Sequence, residues 1–280
     1  MSLQDSLDER LQEDIWDSKI VVKVQLSKSE TLDSSKNLSY YFFVPRVGYL
    51  CNIFGDLMKA FNLTQTDKTT IWMDYREIPI KWQLPFGVIA DALNMNVDKP
   101  VMMDFHVTNI PVNVVNFQSL NSLKLQFNNS IKESNQIKYP KQKAILDLGA
   151  EDTKLLTDLS QLKDGSDMLA KFRKLILSIN KKDDEEDNLE KFPVRLVFDK
   201  TDLILTKPVS LKGKNQYTIG QFFNDTFGEE VYSQLKERCL IKIHGIEVEE
   251  SALFLFYYNN FYYLDNYLYI VFIEKNNEFK

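Results

Sequence analysis

The chain has 280 residues, of which 44% are apolar, and a formal net charge of -6 at neutral pH. This length suffices for two or three domains, and the apolar content excludes a largely disordered chain. Acidic and basic residues are mixed along most of the sequence, which excludes a broad nucleic-acid-binding face, because such a face needs clustered basic residues.

Features of the whole chain indicate a soluble, cytoplasmic protein. The polar, acidic segment 1–14 is not a secretory signal, and no apolar run reaches the length that spans a bilayer. The two cysteines, Cys51 and Cys239, stand far apart in apolar surroundings. This favours two reduced thiols in the core over a disulfide framework.

The first 110 residues alternate between two hydrophobic periods. Apolar residues at four-residue spacing from Leu3 to Ile15 predict a short helix, which Trp16 anchors. Strand patterns lie at 19–26, 40–44, 71–75, 78–82 and 101–107, and helical patterns at 49–61 and 88–93. The order strand, strand, helix, strand, strand, helix, strand predicts a ubiquitin-like β-grasp domain, in which a helix covers one face of the sheet.

The middle of the chain changes to helical spacing. Apolar residues at 120–131, 155–162 and 168–179 predict three helices, interrupted at Pro140 and Gly165. The charged run 181–190 that follows predicts a solvated linker.

The last third repeats the order of the first domain. Strand patterns lie at 192–198, 203–206, 240–244, 246–248 and 267–273, and helical patterns at 219–227, with Thr218 as N-cap, and 251–258. A repeat this long indicates domain duplication. The predicted fold is α+β: two ubiquitin-like β-grasp domains flank a helix-rich domain, with a short N-terminal helix. The predicted segments are 1–17 (N-terminal helix), 18–110, 111–182, 183–191 (acidic linker) and 192–275.

Catalytic and metal-binding motifs are missing from the sequence. His106 and His244 are isolated and lack the paired base and orienting group that catalysis needs, so we predict structural roles for both. No glycine-rich phosphate loop or calcium-binding loop is present. We therefore predict a non-catalytic chain without metal or cofactor.

Two further features favour a scaffold. Segment 274–280 has no Gly-Gly, so the chain cannot be the donor in ubiquitin-like conjugation, although it could be an acceptor. Most of the aromatic residues are expected in the core, because alternating strand positions put half of them inward. The surplus over what two small cores bury predicts an exposed aromatic patch. We place this patch in a groove where both β-grasp domains meet the helices, with a partner helix as occupant.

Several blocks of the sequence resemble the autophagy protein 5 family. These are Val44-Pro45-Arg46 with Tyr49-Leu50, Ile71–Tyr75 with Pro79–Val88, Ile243–Glu247, and Tyr267–Ile270. The second block is the most specific, and the similarity runs in order through nearly the whole chain. The resemblance implies an N-terminal helix, ubiquitin-like domain A, a helical domain and ubiquitin-like domain B.

The resemblance also implies a function. Such proteins are joined by an isopeptide bond to the C-terminal glycine of autophagy protein 12, with the E2-type autophagy proteins 10 and 3 as further partners. They bind the N-terminal helix of autophagy protein 16. The complex acts like an E3 ligase that promotes transfer of autophagy protein 8 to phosphatidylethanolamine, in peripheral contact with the phagophore membrane.

The acceptor implied by the resemblance is Lys132, which follows an aromatic anchor on the first long helix. If Phe127 and Ile131 face inward, Lys132 is rotated by about 100° toward solvent. Lys124 and Lys138 are the alternatives.

Two further sets of residues follow from the resemblance. Pro45, Arg46 and Gly87 are expected near the partner-helix groove, although Gly87 could instead only cap a short helix. Membrane contact is expected from basic residues of the helical segment, namely Lys138, Lys141, Lys143, Lys171, Arg173 and Lys174. These charges could equally be solvated only.

Two other classes of protein stay open from the sequence. A FERM-like adaptor also joins ubiquitin-like and helical modules, but its third domain would be a phosphotyrosine-binding-like sheet. The second class is an enzyme without a recognised motif. A covalent adduct on the chain would distinguish the acceptor from both.

Overall fold

The structure is a computed structural model that describes residues 3–30, 38–63, 70–139, 148–180, 191–212 and 216–275. The helices are α1 Leu3–Asp17, α2 Phe54–Ala60, α3 Phe86–Ala92, α4 Leu120–Lys138, α5 Ala150–Gln161, α6 Gly165–Asn180, α7 Ile219–Phe227, α8 Glu229–Arg238 and α9 Phe254–Phe261. The strands are β1 Lys19–Leu26, β2 Ser39–Pro45, β3 Trp72–Tyr75, β4 Ile78–Pro79, β5 Val101–His106, β6 Lys191–Phe198, β7 Leu203–Ser210, β8 Cys239–Ile243, β9 Ile246–Glu247 and β10 Leu268–Glu274.

Two five-stranded sheets share one topology. Their strand orders are β2-β1-β5-β3-β4 and β7-β6-β10-β8-β9. In each sheet the first strand pairs antiparallel with the second and parallel with the last. The predicted duplication of a β-grasp domain is therefore confirmed. The second sheet follows the first strand for strand, which disfavours the FERM-like alternative.

The tight turns of the two domains also correspond. Arg76 and Glu77 join β3 to β4 with φ of 53° and 67°, and His244 and Gly245 join β8 to β9 with φ of 51° and 82°. Left-handed backbone at both central positions is the requirement of a two-residue hairpin turn that matches strand twist. The strands predicted on either side of each turn thus pair as hairpins.

Hydrophobic alternation decides which faces are buried. Ile20, Val22 and Val24 of β1 are buried, whereas the residues between them are only partly covered. Strand β10 differs, because all six residues from Leu268 to Ile273 are buried. Helix α3 of the first domain packs against β10 of the second. The first domain thereby covers surface that a lone β-grasp domain would expose.

The helical segment connects the N-terminal helix with the second domain. Helix α4 contacts α5 and β6, α5 contacts α6, and α6 contacts α1. Trp16 at the end of α1 is fully buried and packs against Phe172 of α6 and Tyr262, with ring centroids 5.4 and 5.7 Å apart. The predicted anchor of the N-terminal helix therefore lies between the helical segment and the second domain.

The structure differs from the prediction in several places. The helix expected from residue 49 begins as a 3-10 turn, Leu50–Ile53, before α2. Strand β4 is only two residues long, since the chain turns after it and the Leu84 amide donates to the Lys81 carbonyl at 3.1 Å. Helix α8 was not predicted. Cys51 is buried as expected, whereas Cys239 is only half-buried.

Some predicted features lie outside the described residues, namely the linker at 181–190, Lys141 and Lys143. Among the described helices, none combines the length and apolarity needed to cross a bilayer.

Candidate functional site

Helix α4 presents Lys132 to solvent. The N-cap residue of the helix is Ser119, whose hydroxyl oxygen accepts a hydrogen bond from the Asn121 amide at 3.2 Å. Phe127 and Ile131 are fully buried, and Lys132 is exposed. The phasing expected from the sequence is therefore present, and the result is an accessible primary amine on a helix with one anchored face.

Arg195 of β6 holds the other side of the same helix. Its guanidinium donates to the Ser130 hydroxyl at 3.0 Å and to the Glu133 carboxylate at 2.9 Å, both on α4. It also donates to the Tyr269 hydroxyl at 2.8 Å, and Tyr269 in turn donates to Asp265 at 2.7 Å. This Arg195 network joins the helix that carries Lys132 to the second domain.

The charges of Arg195 and Asp265 are buried and compensate each other. Arg195 and Asp265 are only 12% and 1% exposed at their side chains. Burial lowers the pKa of Arg195, but Tyr269 and Asp265 more than offset it, so that the net direction is upward. Burial, followed by Asp265, raises the pKa of Tyr269 well above its usual range, so the hydroxyl stays protonated and donates.

A groove of about 640 Å³ opens where both domains meet α4. Trp82 and Leu84 from the first domain, Val115 from the segment before α4, Leu125 from α4 and Ile204 from β7 line it. Lys81, also in the lining, donates to the carbonyl of Thr201 at 2.8 Å and pairs with Asp202 at 2.9 Å, which ties the two domains together. The groove lies at the meeting point predicted from the sequence.

Most of the aromatic residues are buried as predicted, but the exposed ones do not line the groove in which the prediction placed them. Most of the C-terminal aromatic run, including Phe254, Tyr258 and Tyr263, is buried in the core, while Tyr41 and Phe43 on β2 are exposed. Trp82 is the aromatic residue of the groove lining. Its ring is buried because it packs on Phe117 and donates to the Val115 carbonyl at 2.7 Å.

Pro45, Arg46 and Gly87 are all buried. Arg46 and Gly87 lie where the two ubiquitin-like domains meet, a region we call the domain junction. The Arg46 guanidinium pairs with Asp91 of α3, and the Asp91 carboxylate accepts from the Gly245 amide of the second domain at 2.7 Å. None of the three lines the groove. Their contact with a partner helix stays a prediction.

Gly87 has a packing role in this junction. Its amide donates to the Arg46 carbonyl at 2.7 Å, and an added Cβ would lie 2.9 Å from that carbonyl oxygen and from the Tyr263 hydroxyl. Pro85, not Gly87, occupies the N-cap position of α3. The alternative reading of Gly87 as a helix cap is therefore wrong.

The burial of the junction shifts the pKa values of its titratable groups, among them His244 and Asp91. Burial lowers the pKa of His244 well below its usual range, and the nearby Arg46 charge adds to that effect. The His244 ring stacks on Tyr263 with centroids 4.0 Å apart. Burial raises the pKa of Asp91, and Arg46 with the Gly245 amide opposes the shift.

The second histidine, His106, is the last residue of β5. Its Nε2 lies 2.7 Å from an Asp74 carboxylate oxygen, and its ring stacks on Trp72 with centroids 3.8 Å apart. The described residues contain no group of three or more side chains that could hold a metal ion.

The described basic residues do not form one exposed patch. Lys171 pairs with two aspartates at 3.5 and 3.6 Å, and Arg173 donates to a glutamine of α1 at 2.9 Å. Lys138 lies over the Tyr258 ring, 5.2 Å from its centroid. Lys174 is exposed. Membrane contact through this set stays a prediction.

Two ubiquitin-like domains that are fixed around a lysine-bearing helix define a ubiquitin-fold scaffold. Models of the UblA and UblB domains of autophagy protein ATG5 match residues 15–108 and 191–272, which together make up more than half of the chain. The chain belongs to the autophagy protein 5 family, and this membership supports a role in autophagy.

Individual relatives agree with this assignment. Autophagy protein 5 of Arabidopsis thaliana is 26% identical over 49% of this chain, but the match spans only 42% of that protein's length. Autophagy-related protein 5 of Caenorhabditis elegans is 21% identical over 92% of this chain and 95% of its own. The crystal structure of Kluyveromyces marxianus Atg5 matches the fold with a TM-score of 0.75 at 18% identity, over 94% of this chain and 99% of that one.

Proposed function

We propose that this chain is the acceptor for the ubiquitin-like modifier autophagy protein 12, with Lys132 as the site of conjugation. The observation that carries the proposal is an exposed lysine on a helix that is anchored by its buried face and by the Arg195 network. A neutral Lys132 amine would attack the thioester carbonyl between the C-terminal glycine of the modifier and an E2 of the autophagy protein 10 type. The E2 thiol leaves, the amine gives up a proton, and an isopeptide bond forms.

The conjugated chain then serves as a scaffold without chemistry of its own. The groove is proposed to take the N-terminal helix of autophagy protein 16, because its lining combines apolar side chains from both domains and α4. The complex acts like an E3 ligase: it promotes transfer of autophagy protein 8 from autophagy protein 3 to phosphatidylethanolamine. We place this activity in the cytoplasm, at the membrane of the phagophore assembly site.

The acceptor is tested with a Lys132→Arg variant in a reconstituted conjugation reaction. Arginine keeps the positive charge but is not deprotonated in proteins, so the shifted band on a denaturing gel should disappear. Lys124→Arg, on the same helix, is the matched control and should conjugate as the natural chain does. A branched peptide found by mass spectrometry at any other lysine would contradict the assignment.

The groove is tested by placing a charge in its lining. Leu125 is 63% exposed, so Leu125→Arg should leave the fold intact while it puts a guanidinium in the path of an apolar helix. We expect binding of a synthetic partner helix to weaken by at least about tenfold, the cost of one buried apolar anchor. Val231→Arg on α8 is the control, since Val231 is 49% exposed and not part of the groove. Equal loss in both variants would remove the groove from the proposal.

Peripheral membrane contact is tested by liposome flotation. Each basic residue near anionic headgroups contributes about 1 kcal/mol. Lys174→Glu should therefore lower flotation with anionic vesicles, and the exposed Lys154→Glu on α5 is the control. Unchanged flotation of Lys174→Glu would argue against contact through α6.

A further inference from the structure

A second cavity, of about 500 Å³, lies between the helical segment and the second domain. Its walls come from α1, α4, α6, α9 and the turn after α9, and we call it the α6–α9 cavity. We propose that this cavity binds a phosphate ester that is carried on an apolar body. The volume falls within the range of about 300–1,000 Å³ that is usual for small-molecule sites.

The charge of the lining selects an anion. Lys138 and Arg173 both line the cavity, and no aspartate or glutamate does so among the described residues. Arg173 is half-buried, and its hydrogen bond runs to Gln12, a neutral amide, at 2.9 Å. A partly desolvated guanidinium is stabilised by an anion that accepts its remaining donors.

The rest of the lining is suited to an apolar body. It consists mainly of the side chains of Phe172, Ile176, Tyr258 and Tyr262. Trp16 packs behind Phe172 and Tyr262, which fixes the two rings. Tyr258 is fixed as well, since its hydroxyl donates to Asn266 at 3.2 Å. A rigid aromatic surface beside two cations fits an amphiphilic anion better than a free ion, which would leave that surface uncovered.

Phosphate fits the polar part better than a carboxylate. A phosphate monoester carries about -1.5 to -2 charges at pH 7 and three acceptor oxygens, whereas a carboxylate carries one charge and two oxygens, so phosphate can accept from more of the donors in the lining. Tyr262 adds a donor: burial raises the pKa of its hydroxyl, against the opposing effect of Arg173, so the group stays protonated. The same chemistry could come from a soluble nucleoside phosphate or from a lysophospholipid.

The test is calorimetric titration of the full chain with three probes. These are adenosine monophosphate, lysophosphatidate below its micelle-forming concentration, and inorganic phosphate. We expect saturable one-to-one binding of at least one organic phosphate, with inorganic phosphate weaker by about tenfold or more, because it covers no apolar surface. The organic probe that binds identifies the source of the ligand.

Matched variants locate the binding in the cavity. Arg173→Gln removes a charged donor and should weaken binding of the organic phosphate by about tenfold. Lys174→Gln removes the same charge from the next residue on α6, outside the cavity, and should leave binding unchanged. If the thermal midpoint of Arg173→Gln falls, Lys138→Gln replaces it, since that variant keeps the hydrogen bond between Arg173 and Gln12.

Three results would overturn the proposal: no saturable binding of either organic phosphate, equal affinity for inorganic phosphate, or equal losses in the Arg173→Gln and Lys174→Gln variants. The inference does not depend on the conjugation proposed above, since Lys132 lies outside the cavity. The gel-shift assay for conjugation therefore gives an independent result with the same variants.

Discussion

Arg46 and Asp91 show how single residues fix the two ubiquitin-like domains to each other. Their side chains are only 7% and 5% exposed, and the Asp91 carboxylate also accepts from Gly245 of the other domain. Removal of one partner would leave a charge uncompensated in a site that water barely reaches. For Asp91→Ala we expect a loss of about 3–5 kcal/mol in the free energy of unfolding, measured by urea denaturation.

An exposed ion pair between the same two domains is the control for this prediction. Lys81 pairs with Asp202, whose side chain is 69% exposed. Exposed pairs contribute about 0–1 kcal/mol, so Asp202→Ala should barely move the midpoint. If both variants lost the same stability, burial of the Arg46–Asp91 pair would not be the cause.

His244 should make stability depend on pH. Its pKa in the folded chain is lowered by burial and by Arg46, so the unfolded chain takes up a proton below about pH 6.5 that the folded chain does not bind. The stability that comes from keeping His244 neutral is therefore fully present above that pH. It falls as the pH decreases, by up to about 1.4 kcal/mol per pH unit.

The measurement for His244 is a comparison of slopes between pH 7.5 and pH 5. His244→Asn is the matched variant, because asparagine tolerates the left-handed backbone at this position, where φ is 51°. Stability of the variant should decline less steeply than that of the natural chain. If stability fell equally steeply in both proteins, the folded state would not be disfavouring protonation of His244.

At the residue scale, the sequence predicted where some residues lie but not which contacts they make. Lys132 could be placed on the exposed side of α4 from the spacing of Phe127 and Ile131, because helical phasing is a local property. Arg46 and Gly87 stood out only through resemblance. Their packing in the domain junction depends on Gly245 and Tyr263, more than 150 residues away, and no local pattern reports such contacts.

Gly165 controls how α1 packs against the start of α6. An added Cβ at this position would overlap the carbonyl oxygen of Trp16, a backbone atom that cannot rotate away. We expect Gly165→Ala to destabilise the fold by about 1–3 kcal/mol, the usual cost of overpacking. The expected sign is opposite for Gly55→Ala in α2, where nothing lies within 4 Å of the added Cβ. There alanine should stabilise the helix by about 0.5–1 kcal/mol.

Thermal unfolding of the two glycine variants provides the comparison. Gly165→Ala should lower the midpoint and Gly55→Ala should raise it. A stabilised Gly165→Ala protein would mean that α1 can shift away from α6 at little cost. The close approach of Trp16 to Gly165 would then be of no energetic importance.

At the scale of elements, local signals account for what was predicted and what was missed. Thr218 was predicted as the N-cap of α7, and it forms a full capping box with Gln221. Helix α8 was not predicted because Tyr232 is its one buried residue, so the sequence shows no apolar stripe there. The remaining signals for this helix are electrostatic, because its charged residues interact favourably with the helix dipole. Acidic residues lie in the first turn (Glu229 and Glu230) and basic residues in the last (Lys236 and Arg238).

The whole molecule has a property that neither domain has alone: α4 is held from both sides. The order of the elements was predictable, since each hydrophobic period is local. The groove was predicted only in outline. Its residues Trp82, Leu125 and Ile204 come from three parts of the chain, and their approach depends on long-range packing. The one local signal of the groove was Leu125, an apolar residue on the side of α4 that faces away from the core.

Arg195 is the residue on which this arrangement of α4 depends most directly. Arg195→Ala would remove the donors to Ser130 and Glu133 and leave Asp265, at 1% exposure, without its cation. We expect amide hydrogen exchange in the second half of α4 to accelerate by at least about tenfold, while β1 in the first domain keeps its protection. Arg238→Ala, at an exposed site on α8, should change neither.

The pattern of exchange decides what Arg195 does. Faster exchange confined to α4 and the adjoining strands means that the Arg195 network holds this helix against the second domain. Uniform acceleration over both sheets would instead mean that Arg195 supports only global stability. Since Lys132 lies in the affected half of α4, a locally loosened helix should also slow conjugation without moving its site, because an acceptor amine on a mobile segment reaches the attacking geometry less often.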